Sequence, residues 1–119
     1  MSVIDAMLAF NKTYQEQNKD YNPIIYIVKN LHKINNIQTW NMLLSIASLN
    51  NDMKTIEMAI SLGANNWDMG MYGASAGGHL NIVEFFIQKG ANNWDLGKSG
   101  AYGGRHINIA EFFIKKMQS

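Results

Sequence analysis

The sequence contains an internal repeat of 27 residues, and this periodicity limits the available folds more than any other feature. Residues 63–89 and 90–116 are identical at 18 of 27 positions when they are aligned without a gap. Residues 36–62 fit the same register more weakly, and one equivalent position holds all three tryptophans: Trp40, Trp67 and Trp94. This spacing predicts stacked supersecondary units, because a unit of this size is too small to bury its own apolar face.

Each unit is predicted to be a helix, a tight turn, a second helix and a short link. In the middle unit, Asp68 precedes a small apolar stretch and is a candidate N-cap, as are its equivalents Asp95 and Asn41. Gly77-Gly78 predicts the stop of a short first helix. The second helix is expected over residues 79–89, where apolar residues recur at helical spacing.

The predicted first helices are unusually rich in glycine. Glycine costs about 1 kcal/mol relative to alanine inside a helix, so such a helix would not form alone. We expect neighbouring helices to approach so closely at these positions that side chains would collide. The glycines concerned are Gly70, Gly73, Gly97, Gly100 and Gly103.

The left-handed turn position between the two helices is filled differently in the three units. Gly78 holds it in the middle unit, Asn51 in the preceding unit and Arg105 in the last one. Asparagine tolerates a positive φ angle, whereas arginine does so less readily. We therefore expect either that Gly104 takes the special conformation in the last unit or that Arg105 is mildly strained.

Length and repeat together predict a single all-α domain over the 119 residues, built from about four helical hairpins. The N-terminal third reads as an irregular capping unit, because two helical patterns there are separated by a polar break. The last repeat is expected to act as the C-terminal cap, since its final helix carries two lysines. The predicted division is a capping unit at 1–35 followed by repeats at 36–62, 63–89 and 90–116.

Composition excludes several classes of function. Ten Lys and Arg against nine Asp and Glu give a net charge of +1, which argues against a nucleic-acid-binding arm. The absence of cysteine excludes a disulfide framework, a thiolate zinc site and a cysteine nucleophile. The longest apolar run, residues 24–28, is too short to span a membrane. We expect an intracellular chain with no cofactor or metal and no nucleic-acid or membrane partner.

No group of residues forms a recognisable catalytic site, so the chain is predicted not to be an enzyme. The segment 97–100 looks like the end of a phosphate-binding loop, but the earlier glycine and the preceding strand are missing. His79 and His106 are repeat copies, for which a turn residue bonding local backbone is favoured over a shared zinc. A solvated outer face is expected for a ladder of glutamates: Glu57, Glu84 and Glu111.

Four short motifs follow one another in the middle unit and at its end: the Gly78-His79-Leu80 turn, the Ile82-Val83 pair, the Phe85-Phe86-Ile87 triplet and the Gly90-Ala91 ending. In these features the sequence resembles the ankyrin repeat. The unit is shorter, with 27 residues against about 33 in that family, and the missing residues fall in the link where ankyrin repeats build a β-hairpin finger. The short form with an Asn-Asn-Trp link is similar to the ankyrin-like repeats abundant in large DNA viruses of amoebae.

The resemblance implies an all-α, ankyrin-like solenoid with shortened or absent hairpin fingers and a protein-binding role. By analogy, the chain would be a monomeric viral protein in the host cytoplasm that binds a host or viral protein through the concave face of the stack. The alternative is a structural or virion assembly component that self-associates through the ends of the solenoid.

First helices and links would build the concave face and so the candidate contact surface. For the indoles, packing between repeats is favoured over a primary contact role, because large aromatic side chains dominate core burial. The paired asparagines are expected to bond backbone across neighbouring links, with partner contact as the second choice. The candidate partner-binding residues are Asn65, Asn66, Trp67, Met71, Asn92, Asn93, Trp94 and Lys98.

Overall fold

A computed structural model describes residues 37–119, and the predicted capping unit at 1–35 lies outside the described residues. The described part is all-helical, with no strand between residues 37 and 119. Its helices are α1 (Ile37–Leu49), α2 (Met53–Ser61), α3 (Trp67–Gly77), α4 (Leu80–Lys89), α5 (Trp94–Gly103) and α6 (Ile107–Gln118).

The helices pack as three successive hairpins. Each first helix packs against the second helix of its own unit, which gives the pairs α1–α2, α3–α4 and α5–α6. The first helices also pack side by side, α1 against α3 and α3 against α5. One layer of first helices therefore joins the units, and the second helices lie against that layer. This arrangement follows the order of elements that the repeat predicts.

The main core forms where the second helices cover the first helices. Phe86 of α4 and Phe113 of α6 are fully buried, and each ring lies over a glycine of its own unit. A Cβ atom on Gly70 would come within 2.5 Å of the Phe86 ring, and one on Gly97 would collide with Phe113. The glycines thus make room for the two largest fully buried side chains of the described core.

In the first unit, the large side chain at this contact comes from the first helix instead of the second. Leu43 of α1 stands at the position of Gly70, and Ala59 of α2 stands at the position of Phe86. Both residues are buried in the same core. A large group on the first helix and a small group on the second have therefore exchanged places, because close packing requires one bulky side chain at each contact.

A second set of glycines brings the first helices of neighbouring units together. A Cβ atom on Gly73 would collide with the carbonyl oxygen of Ser45, and one on Gly100 would lie 2.7 Å from that of Tyr72. The close approach expected from composition is confirmed at these junctions. Gly103, by contrast, is exposed, so the expectation of close packing is wrong at that position, because no neighbouring helix within residues 37–119 covers it.

The turn between the helices shows which of the two expectations for the last unit holds. Gly78 has a φ angle of 80°, and the equivalent Asn51 has 56°. In the last unit Gly104 keeps an ordinary φ angle of −87°, while Arg105 has 63°. Arginine therefore carries the left-handed conformation, which costs a residue with a Cβ atom about 1–2 kcal/mol.

We predict that Phe86→Ala lowers the free energy of unfolding by about 3–5 kcal/mol, because the substitution empties a fully buried site. Adding Gly70→Leu should restore part of the loss, since the pair then matches Leu43 and Ala59. Gly70→Leu alone should destabilise by overpacking. Urea denaturation measures all three, and a double variant no more stable than Phe86→Ala would contradict the exchange of volumes.

We predict that Arg105→Gly raises the free energy of unfolding by about 1 kcal/mol, because glycine adopts a positive φ angle without a steric penalty. Arg105→Ala is the matched control: it removes the charge but keeps a Cβ atom, and it should give no such gain. Thermal and urea denaturation of both variants provide the measurement. An equal gain from alanine would show that charge, not backbone strain, is responsible.

Candidate binding surface

Helices α3 and α5 begin two residues earlier than the sequence suggests. Helix α3 starts at Trp67, and Asn66 is its N-cap, with its side-chain oxygen 3.0 Å from the backbone nitrogen of Met69. Asn93 caps α5 in the same way through the backbone nitrogen of Leu96. The prediction that Asp68, Asp95 and Asn41 are N-caps is therefore wrong, because these residues already lie inside the helices.

Two of the residues predicted to be N-caps instead bind the backbone of the link that follows their own unit. The Oδ1 atom of Asn41 accepts hydrogen bonds from the backbone N–H groups of Asn65 and Asn66, at 2.9 and 3.0 Å. Asp68 Oδ1 accepts from the corresponding groups of the next link at the same distances, namely Asn92 and Asn93. One oxygen of each first helix thereby fixes the backbone of the following link.

The two asparagines of each link have different roles. The backbone of both is held by the preceding unit, while the side chain of the second caps its own helix. The prediction that the paired asparagines bond backbone across neighbouring links is therefore wrong, because Asn66 and Asn93 bond their own helices. The contact between units is made instead by backbone N–H groups of the link, which donate to a side chain of the preceding first helix. The side chains of Asn65 and Asn92 are exposed beside the helix start and repeat in register from one unit to the next.

The indoles pack on the second helix of their own unit. Trp67 stacks on Phe86 at 6.3 Å between ring centroids, and Trp94 lies at the same distance from Phe113. The ammonium groups of Lys89 and Lys116 lie 5.8 and 5.9 Å from the respective indole centroids, in the range of cation–π contacts. These ring contacts lie within units, whereas the predicted packing is between repeats, and both Trp67 and Trp94 stay half-buried.

Two other candidate contact residues lie in contrasting environments. Met71 is fully buried in the main core, which corrects the expectation that it contacts a partner. Its equivalent in the last unit, Lys98, keeps 33% of its side chain exposed and forms an ion pair of 3.7 Å with Asp95. The difference arises because Met71 is enclosed by packed neighbours, whereas Lys98 belongs to the last described unit.

The histidines and glutamates serve structure or solvation. His79 Nε2 lies 3.0 Å from the carbonyl oxygen of Leu49, so its hydrogen bond reaches the preceding unit rather than the local backbone. The prediction that the glutamates of the second helices lie on a solvated face is confirmed, since all three are exposed: Glu57, Glu84 and Glu111. Within residues 37–119, no three His, Asp or Glu side chains are grouped to hold a metal ion.

The segment that resembles a phosphate loop is part of a helix. Residues 97–100 lie within α5, where Gly97 faces the Phe113 ring and Gly100 faces the backbone of α3. Both glycines therefore serve packing, as the repeat register predicts. In the part of the chain that the structure describes, no helix combines the length and apolarity needed to cross a membrane.

Comparisons with family models, with curated proteins and with solved structures each return no match to this chain. What the surface binds therefore has to be inferred from its own residues.

Sequence reasoning missed the residues that organise this surface. Asn41 and Asp68 carry hydrogen-bond acceptors at the 27-residue spacing. The sequence does contain a signal for their role: Asn66 is also a good capping residue, so Asp68 is not needed as the N-cap. Lys89 and Lys116 accompany the two half-buried indoles, whereas the first unit has Leu62 there and a buried Trp40. Lysine therefore occurs where the indole is partly open to solvent.

We predict that Asp68→Ala lowers the free energy of unfolding by about 1–2 kcal/mol, because two hydrogen bonds to a charged acceptor are lost. Amide hydrogen exchange of Asn92 and Asn93 should accelerate. The matched control is Asp95→Ala, at the equivalent position with no described link to hold, which should change stability by less than about 0.5 kcal/mol. Equal losses from the two variants would contradict the role assigned to Asp68.

Proposed function

We propose that this chain is a non-catalytic protein-binding module whose partner contacts the surface formed by the links and the first helices. One observation carries the proposal. Adjacent units present the same pair of groups in the same register, an exposed asparagine side chain followed by a half-buried indole. The pairs are Asn65 with Trp67 and Asn92 with Trp94.

Rigidity of the links supports a binding role. Because Asn41 and Asp68 fix both backbone N–H groups of each link, the exposed side chains start from a defined backbone position. A preorganised surface loses less conformational entropy when a partner binds. Each asparagine side chain offers two donors and an acceptor, which suit the polar backbone of a protein ligand.

The first helices add a small apolar component to this surface through Met42 of α1, which is 44% exposed. Beneath the surface, Leu49, Tyr72 and Ala76 form a buried cluster that is separate from the main core, with Leu96 packed against it. Because these residues come from three successive first helices, the cluster holds those helices together. An exposed apolar side chain with polar groups nearby is typical of protein interfaces.

The finer fold proposed is an ankyrin-like solenoid in which first helices and links line the concave face. Side-by-side packing of α1, α3 and α5 supports it, as does the placement of α2, α4 and α6 against this layer. The described links consist of a few residues without a strand, in agreement with the loss of hairpin fingers. The resemblance further suggests a viral protein that binds a host or viral protein in the host cytoplasm.

The contact residues proposed are those whose side chains reach the surface. Asn65 and Asn92 are the principal polar contacts, and Trp67 and Trp94 contribute the uncovered parts of their indoles. Asn66 and Asn93 act mainly by capping, and Lys98 lies at the edge of the surface. Met71 is left out because it is buried.

We predict that Asn65→Ala together with Asn92→Ala weakens partner binding by about tenfold or more, equivalent to at least ~1.4 kcal/mol. Stability should not change, since neither side chain caps a helix or packs in the core. The test is affinity capture from host-cell lysate with the purified chain, followed by titration of the protein that is captured. A single stoichiometric partner is expected.

The control carries Glu84→Gln and Glu111→Gln, two exposed positions on the second helices, and should bind as the wild type does. Equal binding by the asparagine variant would rule out the proposed surface. Recovery of the bait alone, with a mass that rises with concentration, would favour the self-associating assembly component instead.

A further inference from the structure

Two junctions between units share one docking arrangement, which defines the stacking face of a first helix. On α3 this face comprises Asp68, Tyr72, Ser75 and Ala76, all of which lie toward α5 or its link. On α1 the corresponding residues are Asn41, Ser45, Ser48 and Leu49, by the 27-residue offset. Each such face accepts the following unit through a side-chain oxygen and through backbone carbonyl groups.

Close contact at this face requires a small residue at the position of Ser75. Ser75 is fully buried, and its hydroxyl donates to the Met71 carbonyl oxygen at 2.7 Å, so it turns back on its own helix. Its Cβ atom lies 3.4 Å from where a Cβ on Gly100 would stand. Ser48 of α1 is buried with the same internal hydrogen bond.

The position of Met71, one helical turn before Ser75, requires an apolar residue. Met71 of α3 and its equivalent Leu44 of α1 are both fully buried in the main core. A charged group enclosed there without a partner would be strongly unfavourable, because it would lose its hydration.

The last first helix, α5, breaks both requirements. Tyr102 replaces the buried serine and is 49% exposed, while Lys98 replaces the buried methionine. Asp95 keeps the acceptor that would hold a following link, yet its side chain is 83% exposed and pairs with Lys98. Ser99 and Gly103 complete the same face and are exposed.

We propose that the stacking face of α5 is closed to a further unit of this type, with Tyr102 as the steric block and Lys98 as the charged one. The ring of Tyr102 fills the space that the next first helix would need. Lys98 places an ammonium group where docking would bury it, and it binds the carboxylate of Asp95. A further unit of this type therefore does not dock on this face, and head-to-tail association of copies through it is prevented.

The proposal is tested by adding a fourth unit. A copy of residues 90–116 is fused after residue 116, either to the wild-type sequence or to a chain carrying Lys98→Met, Ser99→Tyr and Tyr102→Ser. These substitutions give α5 the residues that α3 has at the same positions. Hydrogen exchange of the two asparagine N–H groups in the added link reports whether that link is held by Asp95.

We expect the added link amides to be at least about tenfold more protected in the substituted chain than in the wild-type chain. Adding Asp95→Ala to the substituted chain should remove that protection, which separates specific docking from loose association. Equal exchange in the two extended chains, whether fast or slow, would overturn the proposal.

A second comparison covers the case in which the triple substitution does not fold. The extended chain with Tyr102→Ser alone exposes no new large apolar group, and it should protect the added link more than the extended wild type does. No difference between these two chains would then overturn the steric role of Tyr102. Partner binding is not involved, so the outcome is independent of the proposed function.

Discussion

The close approach of the first helices is the constraint on which the other features of the structure depend. Gly73 and Gly100 bring backbone against backbone, so α3 and α5 lack side chains that would stabilise them in isolation. Stability has to come from the second helices, whose phenylalanines cover Gly70 and Gly97. Short links become possible because neighbouring units are already in contact, and one oxygen of each first helix is close enough to fix the next link.

Repetition explains how much of this fold could be predicted from the sequence. Helix order and the close contacts of four glycines follow from comparing equivalent positions, which acts as an alignment within one chain: Gly70, Gly73, Gly97 and Gly100. The same comparison leaves open whether Gly104 or Arg105 takes the special conformation in the last unit, and the backbone places a positive φ angle at Arg105. Local patterns were less reliable at the links, because Asn66 and Asp68 are both good capping residues. The bonds that decide between them join groups 24 and 25 residues apart, and no local signal reports such a distance.

The candidate surface was predictable only in part, for a physical reason. Position along a helix indicates which residues share a face, but burial depends on whether another unit covers that face. Met71 and Lys98 are equivalent in sequence and differ in exposure, because α5 covers one side of α3, whereas no described unit covers the corresponding side of α5. Trp67 and Trp94 are likewise only partly exposed, since a lysine ammonium group and a phenylalanine ring lie close to each indole.

The exchange between Leu43 with Ala59 and Gly70 with Phe86 has a consequence for how such repeats diverge. Each unit has a fixed core volume to fill, and the bulky side chain that fills it can come from either helix. A duplicated unit that passes from one solution to the other by single substitutions goes through a form with two bulky groups or with none. Both forms are costly in a packed core. Neighbouring copies can therefore retain different solutions over long periods, each isolated by an unstable intermediate sequence.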